Sequence, residues 1–165
     1  MGAARRWWPA TATPAASHLQ APARVRHLLA AYDLNRDHLY GHIKPRKRRG
    51  EFLTFLRYVR SLYAPGVRIG IVLDNASAHL STRTDARVGD WAAANNVELA
   101  YTPTNASHLN RIEPQFTGLR YFALDGTDHR SHAEQGLMIR RYIAWRNRNA
   151  NDQRLQIIIN RAKVA

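Results

Sequence analysis

Val67-Arg68-Ile69-Gly70-Ile71-Val72-Leu73-Asp74 is the stretch on which the fold turns. It is short, aliphatic and rich in β-branched residues, the pattern of an interior strand in a sheet covered on both faces. It ends in a carboxylate, and α/β sheets place their ligand crevices at the carboxyl ends of such strands. Working outward toward the C-terminus, Ser81 to Asn96 reads as a helix opened by a hydroxyl cap. Val97-Glu-Leu-Ala-Tyr101 follows as a second strand, closed by Pro103. On the N-terminal side, apolar residues at 52, 55, 56, 59, 62 and 63 fall at helical spacing. That predicts a helix over Glu51–Tyr63, with Arg57 and Arg60 on its wet side and Pro65-Gly66 as its stop. Further out, Val25–Asp33 and Asp37–Ile43 form a hairpin around Asn35-Arg36, with Asp33 and Asp37 at its expected solvent end. Three more helical patterns cover 110–124, 130–149 and 152–164, and Trp91, Tyr121 and Trp145, all at helical spacing, read as core rather than as stacking platforms. The predicted order is β-β-α-β-α-β-α-α-α, a mixed α/β layer arrangement.

Composition narrows the class of partner. The chain has 165 residues and is 45% hydrophobic, enough for one domain with a real core. It carries 25 Lys+Arg against 12 Asp+Glu, a formal charge of +13. An excess of that size matches a polyanion, nucleic acid first, with solvated surface as the alternative. Lys44, Arg46, Lys47, Arg48 and Arg49 crowd around Pro45, either as a solvated loop or as phosphate contacts. The absence of cysteine excludes disulfides, thiolate zinc sites and a thiol nucleophile. No apolar run approaches the ~20 residues that span a bilayer, so a soluble, cytoplasmic protein without a membrane partner is expected. Residues 1–23 are rich in Ala, Pro and Thr without the apolar core of a secretory signal, and are expected to be an unstructured leader to a domain over 24–165.

Two acids stand out by context. Asp74 leaves the carboxyl end of the aliphatic strand and precedes Asn75-Ala-Ser-Ala-His79. Glu113, 39 positions later, opens a helix in Asn110-Arg-Ile-Glu-Pro114. Carboxylates far apart in sequence are how proteins hold hard cations such as Mg²⁺ for phosphodiester chemistry. Each also has a structural reading: Asp74 as an Asx-turn, Asn110 and Glu113 as a reciprocal helix cap with Pro114 tolerated in the first turn. His79 reads as a base, as a phosphate contact or as neither.

The string Leu73-Asp74-Asn75-Ala76-Ser77-Ala78-His79, followed by Tyr101-Thr102-Pro103-Thr104-Asn105-Ala106-Ser107-His108-Leu109-Asn110-Arg111-Ile112-Glu113, resembles the mariner-like insertion-sequence transposases of bacteria. The resemblance covers about residues 24–165. It implies a ribonuclease-H-like domain in which Asp, Asp and Glu bind two Mg²⁺ (or Mn²⁺) ions for DNA strand cleavage and transfer at transposon ends. Asp74 matches the second acid and Glu113 the third, both as catalytic residues and metal ligands. Asn75, His79 and Asn110 match auxiliary positions. DNA becomes the expected partner, with Lys44, Arg46, Lys47, Arg48 and Arg49 as its contacts; a homo-oligomer and a nucleoid location are compatible with it.

The resemblance also exposes a departure. The family's first acid lies in an initial, central strand ahead of the hairpin, yet Met1 to Tyr32 contains no acidic residue. The first strand is therefore expected to be absent and the segment before Val25 to be the product of a truncated or disrupted frame. Backbone groups left unpaired along the central seam would make the protein unstable, and a site short of one acid would bind metal weakly and be inactive alone. The alternatives are a non-catalytic basic DNA-binding remnant and an unrelated nuclease or phosphotransfer protein on the same fold.

Overall fold

The structure is a computed structural model that describes residues 4–6, 26–103, 111–125, 129 and 131–161. Its elements are β1 (Ala4–Arg6), β2 (His27–Asp33), β3 (His38–Lys44), α1 (Arg49–Ser61), β4 (Ile69–Leu73), α2 (Arg87–Ala94), β5 (Val97–Tyr101), α3 (Glu113–Ala123), α4 (His132–Arg148) and α5 (Gln153–Arg161). This is the mixed α/β arrangement the periodicities predict. Two parts of the N-terminal expectation are corrected. Ala4–Arg6 is a strand rather than part of an unstructured leader, and it pairs antiparallel with β2, Ala4 opposite Leu29 and Arg6 opposite His27. A strand ahead of the hairpin is thus present, three residues long.

β2 organises the layers because both of its faces are dry. Leu28 and Ala30 face Ile112 and Leu119 near and in α3 and Ile139 and Tyr142 in α4. Leu29 and Ala31 face Phe55 and Val59 of α1. Truncating Phe55, which is 2% exposed, to Ala would cost about 3–5 kcal/mol by lost burial and the cavity left behind. α1 turns its other buried residues, Phe52, Leu53 and Leu56, toward β4, β5 and α2. The helix ends at Ser61, ahead of Pro65, as its breaker requires.

β4 and β5 run parallel, Ile69 opposite Val97 through Leu73 opposite Tyr101. The expectation that β4 is covered on both faces is corrected. Ile69, Ile71 and Leu73 are buried while Gly70 and Val72 are exposed, the alternation of a strand packed on one side. α2 also starts six residues later than its predicted Ser81 cap, at Arg87. Thr82 and Asp85 exchange backbone hydrogen bonds of 3.0 and 3.2 Å, and Asp85 accepts a fork from Arg87, so a turn takes the place of the first helical residues. α4, by contrast, opens on a Ser131 hydroxyl that accepts the Glu134 amide at 3.1 Å.

Candidate active site

Leu73, the last residue of β4, is fully buried, and its carbonyl accepts the Thr102 amide at 2.8 Å. Asn75 donates its side-chain amide to the Thr102 carbonyl at 2.7 Å. These two bonds stitch the loops after β4 and β5 together and fix where Asp74 emerges. Asp74 Oδ1 accepts the Ala76 amide at 3.1 Å, the Asx-turn of the structural reading. The same oxygen lies 2.6 Å from Nδ1 of His79. Facing a carboxylate, that nitrogen is the donor.

His79 is 0% exposed, enclosed behind Asp74. Its ring lies over Phe52 of α1 with centroids 4.2 Å apart. Its amide donates to the Ala76 carbonyl at 2.7 Å, and its own carbonyl accepts the Tyr101 hydroxyl at 2.9 Å. The Asp74 side chain, by contrast, is 39% exposed and reaches the surface. Burial pushes its carboxyl up, but the hydrogen bond and charge of His79, the Ala76 amide and the charge of Lys47 together hold it below the ordinary range. Asp74 is therefore an anion at neutral pH, the state a hard cation needs.

The basic segment sits beside this loop rather than away from it. Lys47 contributes to the field at Asp74. Arg49, at the start of α1, donates to the Ser77 carbonyl at 3.0 Å and pairs with Asp85 at 2.5 Å, so it braces the loop from within. Arg46 and Arg48 are exposed, and Lys44 closes β3 half-buried. Glu113 is the first residue of α3, half-buried, next to an Ile112 that is 0% exposed in the core on the other side of β2. Ile112, which makes no side-chain cap bond, occupies the N-cap position of α3. Asn110 lies outside the described residues. The structure thus brings Asp74, Asn75, His79 and Lys47 together, and Glu113 opens α3 half-buried.

Residues 4–134 match the family described as DDE superfamily endonuclease. The chain belongs to that family. The match begins at residue 4 and so takes in β1. The fold resembles a chain in the cryo-EM structure of the simian T-cell lymphotropic virus intasome in complex with PP2A regulatory subunit B56 gamma, with a TM-score of 0.56 at 13% identity. That likeness covers 84% of this chain and 45% of the other, so this chain spans less than half of its length. The HTLV-2 integrase catalytic core domain in complex with magnesium, in its trimeric form, is also similar, with a TM-score of 0.48 at 13% identity over 84% of this chain and 79% of that one. No curated protein matches the sequence.

Metal binding in a DDE endonuclease can be tested against the donors present. Asp74 suits a hard divalent cation in charge and exposure. Among the described residues, however, no group of three His, Cys, Asp or Glu side chains comes together to hold one. Among the described residues the donor type fits and the donor number does not.

Sequence reasoning also misplaced several side chains of this DDE endonuclease. Asp33 and Asp37 are each 4% exposed, not at a solvent end. Asp33 caps the Asn35 and Arg36 amides and accepts the Tyr63 hydroxyl at 2.5 Å. Asp37, with a positive φ of 53°, is the counter-ion of the buried Arg146. Trp91 packs against the core, but Tyr121 is 61% and Trp145 40% exposed, against the expectation that they are core.

Proposed function

We propose that this chain is the ribonuclease-H-like catalytic domain of a mariner-like insertion-sequence transposase, one that acts on DNA but does not cleave it unaided. The observation that carries the reading is Asp74, held ionised at the carboxyl end of β4 by a buried histidine, in a chain of the DDE endonuclease family. Glu113 is its proposed partner carboxylate, with Mg²⁺ or Mn²⁺ as the ion the pair would share weakly. The incapacity follows from β1. That strand precedes the hairpin at the edge of the β1-β2-β3 sheet and reads Ala-Arg-Arg, and no Asp or Glu occurs before Asp33 to supply the first acid that the resemblance calls for. Arg46, Lys47 and Arg48 beside the Asp74 loop, with a net charge of +13, support DNA binding that persists without cutting. Transposon ends and target DNA are the proposed partners, with homo-oligomers and a nucleoid location in bacteria to match.

The test is a plasmid-nicking assay in Mg²⁺ or Mn²⁺ run beside a salt titration of duplex binding. Salt-sensitive binding without nicks is the expected result. Metal-dependent nicking that disappears in Asp74→Asn would show a complete enzyme and overturn the claim of incapacity. Binding that is absent, or flat in salt, would overturn the DNA reading.

A further inference from the structure

Tyr121, Phe122, Tyr142 and Trp145 gather where the C-terminal part of α3 meets α4. Phe122 lies nearly parallel to Tyr142, 18° between planes and 6.1 Å between centroids, and 5.9 Å from Trp145. Tyr121 meets Phe122 edge-on at 5.0 Å. Phe122, Ala123, Met138, Arg141, Tyr142 and Trp145 line a cavity of about 300 Å³. Its aromatic walls are in solvent, Phe122 at 41% and Trp145 at 40% exposed. Large rings left wet in this way mark a binding surface rather than a failure of packing. Arg120, Arg140, Arg141 and Arg148 are all exposed on the same two helices.

We infer that this cavity takes an unpaired base of a DNA strand, stacked on Trp145 and Phe122, with Arg141 meeting the adjacent phosphate. Every base has a π-face, so aromatic walls hold it without regard to sequence. A guanidinium at the rim both binds phosphate and stacks on rings. The volume lies at the small end of ligand pockets, suited to one ring system rather than to a peptide. A second copy of the chain seated symmetrically on the cavity is disfavoured because it would bring Arg141 toward the Arg141 of its partner. The inference rests on the reading of the chain as a DNA-acting domain, and the assay separates the two.

The full chain is titrated onto a single strand of about 12 nucleotides carrying one 2-aminopurine, and onto the fully paired duplex of the same sequence. Stacking quenches 2-aminopurine emission, so quenching by the wild type is expected on the single strand. Trp145→Ala, at an exposed site that leaves the fold intact by circular dichroism, should restore the emission. It should also weaken single-strand binding by roughly 5- to 100-fold while duplex binding stays unchanged. Arg141→Gln should lower the single-strand salt slope by about 0.7. Duplex binding with no quenching, and single-strand affinity that Trp145→Ala leaves unchanged, would overturn the inference and leave the DNA reading standing. Loss of all binding in the wild type would overturn both. A Trp145→Ala change confined to the sedimenting mass of the chain would make the cavity a self-association face and overturn the inference as well.

Discussion

Removing the Arg146 guanidinium is predicted to unseat the whole C-terminal half. Arg146 is 1% exposed within α4. It donates to the Asp37 carbonyl and to Asp37 Oδ1, and its Nε donates to Gln115 Oε1 at 3.0 Å. Asp37, itself 4% exposed, also accepts the Tyr32 hydroxyl at 2.7 Å, the Asn151 amide at 2.6 Å and the Gln156 side chain at 3.2 Å. One ion pair therefore ties β2, the hairpin turn, α3, α4 and α5. Arg146→Met keeps much of the volume and strands the Asp37 charge in the interior. Breaking a buried pair from one side costs about 3–5 kcal/mol, a large share of the about 5–15 kcal/mol that holds a typical domain. For a chain of this size that lowers Tm by roughly 6–20 °C. The double variant Asp37→Asn/Arg146→Met strands no charge and should be less damaged than the sum of its parts.

The same pair fixes a pH dependence. Burial pushes the Asp37 carboxyl up, but Arg146, Tyr32 and the Asn151 amide outweigh it and hold the group at about 2, below its ordinary 3.8. A carboxyl depressed in the folded state adds stability that is present above its unfolded value and is lost as pH falls from 3.8 through about 2. The difference is worth about 2 kcal/mol. Urea denaturation followed by circular dichroism, at neutral pH and down this acid limb, reads both effects. In Arg146→Met the acid slope should flatten. The reasoning fails if Arg146→Met lies within about 1 kcal/mol of wild type at neutral pH, or if the two substitutions add without coupling.

Two further outcomes follow from close approaches between elements. A Cβ on Gly118 would sit 2.9 Å from the Tyr142 hydroxyl oxygen and 3.1 Å from Ile159 Cγ1, so Gly118→Ala should wedge α3 from α4 and α5 and cost about 1–3 kcal/mol by urea denaturation. An unchanged midpoint would show that the three helices have room to separate. Asn147 pairs with the backbone of Leu39 through both side-chain groups, each at 2.8 Å, and so acts on β3 as a short extra strand would. Asn147→Ala leaves both Leu39 groups without those partners and should cost about 1–3 kcal/mol per group, with faster amide exchange at Leu39 as the local readout; unchanged exchange there would refute the role.

The order of elements was legible because it rests on local pattern: the 3.6-residue rhythm of Phe52 to Val59, the short β-compatible runs of β2 and β3 around a turn, the aliphatic run of β4. What failed depended on partners distant in sequence. A run such as Ile69 to Leu73 does not say whether its second face meets another layer, and here Gly70 and Val72 do not. An aspartate after Asn35-Arg36 looks like turn chemistry, and nothing nearby announces a counter-ion 109 residues away. Ala4-Arg-Arg6 has neither β-branched residues nor alternation, so only its pairing with β2 marks it as a strand. Tyr121 and Trp145 fell at helical spacing, which predicts a face but not whether anything covers it.

The candidate site divides along the same line. The five-residue step from Asp74 to His79 was visible as a motif, but its physical reason was not. The loop turns back through the Ala76 carbonyl so that the imidazole faces the carboxylate, and α1 supplies Phe52 to bury the ring. His79 thus holds one oxygen of Asp74 and favours its charge from an enclosed position. Every group in that lock comes from α1, β5 and the loop after β4, and none from β1. The geometry of Asp74 can thus survive whatever happens at the first strand. A well-formed Asp74 loop then says nothing about a carboxylate at the first strand, which is why nicking and DNA binding must be measured on the same preparation.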